Sequence, residues 1–158
     1  MNKTHKGFTT IEMLIVLAII IILGGIMAVM NRNAKSSLAA NHIIHDFRSL
    51  KTAAQSWHNN NRGREHDRSE ILSYLNNRTA VSVSETSEGK GKYILHISDD
   101  GKSWYIGCDL SDDAKTKGRL SAKAETFNLL GSDMKSLYKN DSQVWVQVHL
   151  SGMNRAGI

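Results

Sequence analysis

From Met13 to Met30 the chain carries no charged or strongly polar side chain, a run of roughly eighteen residues against the ~20 that a helix needs to cross a bilayer. This run constrains the fold more than any other stretch. A helix that is apolar all round is covered by lipid or by other apolar helices, and cannot serve as one stripe of a small core. A short basic segment with Lys3 and Lys6 precedes it, and a single carboxylate, Glu12, stands at its front edge. A charge bordering hydrocarbon is expensive and asks for a partner. The positive-inside rule favours a cytoplasmic N-terminus through Lys3 and Lys6, against the opposing votes of Arg32 and Lys35 beyond the span.

Past Met30 the composition turns polar, yet the helical period persists. Ala40, Ile43, Phe47, Leu50, Ala54 and Trp57 recur at spacings of three and four, which is a one-sided apolar stripe. The chain contains no Pro, so nothing breaks the pattern. One helix of about fifty residues, roughly 75 Å long at 1.5 Å per residue, is expected. Its first half is apolar all round and its second half is amphipathic. Gly24 and Gly25 are its weak points, at about 1 kcal/mol each relative to Ala, or a place where helices approach closely in lipid. Asn59, Asn60, Asn61, Arg62 and Gly63 end it, because Asn and Gly tolerate the left-handed conformation at helix ends.

Of 158 residues, those left after the long helix suffice for one modest domain. Asp67 and Glu70 resemble a capping box opening a short helix with Ile71, Leu72 and Leu75. The period then changes to two. Val81 and Val83 alternate with serines, and 93–97 and 104–110 flank a loop containing Asp100-Gly101, a hairpin signal. On the second of these strands Trp104, Ile106, Cys108 and Leu110 share a face. Asp112 or Asp113 caps a helix with Leu120, Ala124 and Phe127, which Gly118 is expected to split near its start. Val144, Val146, Val148 and Leu150 alternate with Trp145, Gln147 and His149, the cleanest strand pattern. Residues 84–92, rich in Ser, Glu, Gly and Lys, read as an exposed loop. The expected fold class is α+β: a long N-terminal helix packed on a small antiparallel sheet of three or four strands, with one or two short helices.

The segment from Lys6 to Ile19, KGFTTIEMLIVLAI, resembles the class III signal of type IV pilins and of the pseudopilins of type II secretion. The resemblance implies that a prepilin peptidase cuts after Gly7 on the cytoplasmic side. Phe8 then becomes the N-methylated first residue and Glu12 the fifth. It divides the chain into a leader (1–7), a transmembrane and filament-core half-helix (8–30), an amphipathic half-helix (31–58) and a globular head (59–158). Physical chemistry points the same way. Cutting creates an ammonium on Phe8 about one helical turn from Glu12, and in a staggered bundle the ammonium of one subunit meets the carboxylate of a neighbour. Misaligned copies leave both charges unpaired, so the pair selects register. The expected partners are further copies of the chain, the peptidase, the membrane and an inner-membrane assembly machinery. The expected location is the bacterial inner membrane, then a periplasmic or surface filament. Major surface pilins often carry a C-terminal disulfide loop and a Pro in the apolar helix, and this chain has neither. That leaves a pseudopilin of a secretion or DNA-uptake apparatus as the alternative within the family.

Other candidates weigh less. His42 and His45 lie one helical turn apart without a third ligand. Asp99, Asp100, Asp109, Asp112 and Asp113 lack the spacing of an EF-hand and suit turns and caps better. Some pseudopilins bind calcium. Cys108, the single cysteine, reads as a small buried hydrophobe. Trp57 and Trp104 fall on core stripes, leaving Trp145 as the exposed tryptophan. The net charge of +5, two units of it from Lys3 and Lys6, is too mild to argue for nucleic acid. No convergent acid, base or nucleophile set is visible, so an enzyme is not expected, and no cofactor motif is present. From another class, the span could serve only as the tether of a membrane-anchored sensor or binding module, which predicts no cleavage and tolerance of Glu12→Ala.

Overall fold

The three-and-four spacing of apolar residues closes into a helix, α1 (Thr10–Asn60), in the computed structural model of the chain. The structure describes residues 9–61, 67–86 and 91–150, with the backbone alone at 28–33. The residues of α1 divide between two compact units, Met1–Ser36 and Ser37–Ile158. In the first unit, the helical residues Thr10–Met27 have a mean hydropathy of 2.7, and none of them is buried. This is one helix long and apolar enough to span a membrane.

The second unit is α+β. Along its part of α1, Ala40, Ile43, Phe47, Leu50, Ala54 and Trp57 are all buried, as their spacing requires. A second helix, α2 (Arg68–Arg78), starts at Asp67, whose side chain accepts a hydrogen bond from the Ser69 amide, and it buries Ile71 and Leu75. The strands are β1 (Val83–Ser84), β2 (Tyr93–Ile97) and β3 (Trp104–Asp109). After them come helices α3 (Ala114–Ser121) and α4 (Ala124–Phe127), then strands β4 (Leu129–Leu130) and β5 (Gln143–Val148). One sheet has the order β1-β2-β3-β5-β4.

The hairpin expected across the Asp-Gly loop is present, with β2 and β3 antiparallel and Ile97 opposite Trp104. Gly101 takes φ 68° in its turn, which glycine adopts without strain. Trp104, Ile106, Cys108 and Leu110 are buried on one face, with Val144, Val146 and Val148 of β5 beside them. The α1 stripe belongs to the same core: Trp57 meets Trp104 at 5.8 Å between ring centroids, and Phe47 meets Tyr93 edge-on at 5.6 Å.

Three expectations are corrected. The sheet has five strands rather than three or four, and it is mixed, because β1 runs parallel to β2 with Val83 opposite Tyr93. Strands of two residues, β1 and β4, are too short to show a period, and their pairing comes from the neighbouring strand. Gly118 does not split its helix: α3 runs through it, and the break falls at Ala122 and Lys123. Gly118 faces open space, so its missing side chain forfeits no packing. Trp145 is buried rather than exposed, at 4%. It stands opposite Gly107 in register, and a Cβ added there would lie 2.5 Å from the indole. The ring lies where a side chain on β3 would otherwise be.

Candidate functional site

The candidate site is the front of α1. Every large apolar side chain from Ile11 to Met27 is exposed, from 47% at Val16 to 76% at Met27. Nothing described in the chain covers them. At about 1.5–3 kcal/mol for each Leu or Ile taken out of water, such a surface does not remain in solvent.

Glu12 begins this surface. The Thr9 amide donates to Glu12 Oε2 at 2.8 Å and the Thr9 hydroxyl donates to the same oxygen at 2.9 Å. In return the Glu12 amide donates to Thr9 Oγ1 at 3.3 Å. Thr9 is thus the N-cap and Glu12 the third helical residue of a capping box, which satisfies donors that a helix start otherwise leaves open. The carboxylate therefore has a partner within its own chain, which reading the residues as a membrane span with one misplaced charge missed. The Thr-x-x-Glu spacing of Thr9 and Glu12 was the available signal. Both donors go to Oε2, so Oε1 has no hydrogen-bond partner among the described residues. Gly7 and Phe8, the other residues expected to act in processing and assembly, lie outside the described residues.

The remaining candidates fall apart from one another. His42 and His45 are exposed, and His45 Nδ1 lies 3.8 Å from Asp46 Oδ1. Among the described residues no three potential ligands group together. Asp100 accepts from the Ser98 hydroxyl at 2.5 Å and from the Lys102 amide at 3.0 Å, and these bonds hold its carboxyl below the usual range. Asp109 accepts from both the amide and the hydroxyl of Ser111. Asp113 caps α3 by accepting from the Thr116 amide at 2.9 Å. These are turn and cap roles. Cys108 is buried, and burial above all pushes its thiol up to about 11, which makes it a poor nucleophile at neutral pH.

Asp46 was not singled out in the sequence. Its Oδ2 accepts from the Tyr93 hydroxyl at 2.6 Å and from Lys92 Nζ at 3.4 Å, joining α1 to β2. Burial, then the Asp46 bond, pushes the Tyr93 hydroxyl far up. A partner 47 residues away leaves no local signal. Compared with protein-family models, curated proteins and solved structures, the chain matches none of them.

Proposed function

We propose that the chain is a type IV pilin-like filament subunit, cut after Gly7 by a prepilin peptidase, N-methylated on Phe8 and polymerised through its N-terminal helix. The observation that carries this reading is the wholly uncovered apolar face of Thr10–Met27, joined to a head that buries its own core. In the membrane, lipid covers that face. In a filament the same helices of neighbouring copies cover it. Lipid tails are as apolar as Leu, so the two states lie close in free energy, and close packing with polar pairing decides between them. Glu12 Oε1 supplies the polar term: it is open to the Phe8 ammonium of a neighbour, and only one stagger brings the two together. Before assembly the subunit sits in the bacterial inner membrane by its single span, available to the assembly machinery.

A second reading is favoured by the Thr9–Glu12 box. If Glu12 serves only to cap α1, the span is a tether for a membrane-anchored sensor or binding module. Mass spectrometry of the N-terminus separates the two. A chain beginning at methylated Phe8 is expected, with Gly7→Ala leaving it uncut and unable to polymerise. Glu12→Gln should be cut yet fail to assemble, because an amide keeps the cap acceptor and loses the charge. A chain retaining Met1, or filaments formed by Gly7→Ala, overturns the filament reading.

A further inference from the structure

A cleft of about 190 Å³ opens in the Ser37–Ile158 unit, between α1, the end of α4 and the strands β4 and β5. Its volume equals that of about six waters at ~30 Å³ each. The floor is apolar, with Phe47, Leu129 and Val146 all buried. Two cations line it, Arg48 and Lys51. Three residues apart on one helix, they share a face. The Arg48 guanidinium stacks over the Phe127 ring, its Cζ 4.9 Å from the ring centroid, which leaves its edge donors free for a planar acceptor. Among the described residues neither side chain has a carboxylate partner or a hydrogen-bond acceptor. Burial holds the Lys51 ammonium below its ordinary range. Two like charges beside an apolar concavity repel each other, and Lys51, half-buried beside the exposed Arg48, is also partly stripped of water; the anion that would relieve both effects is supplied by nothing described in the chain.

We propose that this cleft binds a small monocarboxylate on an apolar stem, of arylacetate size. Its carboxylate pairs with Lys51 and Arg48, and its stem lies on Phe47, Leu129 and Val146. The planar fork of Arg matches a carboxylate with two parallel hydrogen bonds, and the apolar floor disfavours a fully hydrated anion such as phosphate. All of these residues lie in one unit, so the inference stands apart from the filament reading.

The test is titration of the full chain, in detergent micelles, with phenylacetate, 2-phenylethanol and inorganic phosphate. Binding is followed by the amide NMR shifts of Arg48, Lys51 and Asn128. Phenylacetate should saturate these shifts at least about tenfold more tightly than the neutral alcohol or phosphate, the worth of one charge-assisted hydrogen bond. Lys51→Gln should weaken phenylacetate about tenfold, and Lys51→Arg should restore most of the loss. Thr126→Trp, at an exposed rim position, should block the cleft while keeping the native amide dispersion. Non-saturating shifts, equal binding of phosphate, or unchanged affinity in both Lys51→Gln and Thr126→Trp overturns the proposal.

Discussion

A single side chain's environment decides what it does here, and Glu12 and Cys108 show this from opposite directions. Glu12 is exposed and finds its partner three residues back, in Thr9. Cys108 is buried and is governed by what surrounds it. Burial raises its thiol to about 11, from the 9.0 of an unburied cysteine; the Lys92 charge opposes the shift, while Asp109 and Asp46 add to it. The native state therefore keeps the proton that the unfolded chain gives up. Cys108 contributes fully to stability below about pH 9, and that contribution is lost as pH rises toward about 11. In urea titrations, unfolding should need less denaturant at pH 10.5 than at pH 8, and Cys108→Ala should show a smaller difference between the two. An equal or larger difference in the variant would remove Cys108 from the account.

At the scale of elements, local rules placed starts and stops well. Asp67 and Asp113 both sit where a cap was expected and both accept a backbone amide. The Asp113 bond reaches Thr116, which is fully buried, so α3 is anchored by the turn that its cap starts. Asp113→Ala is expected to cost about 1 kcal/mol. In a domain of this size that lowers the melting temperature by about 3–6 °C, measurable by circular dichroism, with Asp113→Asn recovering most of the loss. The same rules failed where packing outweighed propensity. Gly118 was expected to interrupt a helix and does not, because about 1 kcal/mol of propensity is outweighed by burial of Thr116 and Leu120 on either side of it.

For the whole molecule, the decisive fact is the division at Ser36 and Ser37. The core residues from Ala40 to Leu150 form one cluster, and none of the described span residues Thr10–Met27 belongs to it. A chain of residues 35–158 should therefore be soluble without detergent and fold cooperatively, giving the sharp near-ultraviolet circular dichroism expected of the packed Trp57 and Trp104 rings. A broad, non-cooperative melt would show that the head depends on the span. The full chain, with Thr10–Met27 uncovered, should stay in solution only with detergent or lipid.

Patterns carried within a few residues were legible in the sequence: the apolar span, the stripe from Ala40 to Trp57, the hairpin of β2 and β3, and the alternation of β5. Each repeats with the period of one helix or one strand, so neighbouring residues suffice to reveal it. The Thr9–Glu12 box was equally local and was visible as a spacing. What only the tertiary structure decided joins residues far apart in the chain. β1 lies parallel to β2, Trp145 lies over Gly107, Asp46 meets Tyr93, and Arg48 and Lys51 share a cleft with Leu129 and Val146. The physical reason is register. A period says which face a residue is on, but which residue stands opposite is set by how whole strands and helices align, and no stretch of sequence carries that alignment by itself.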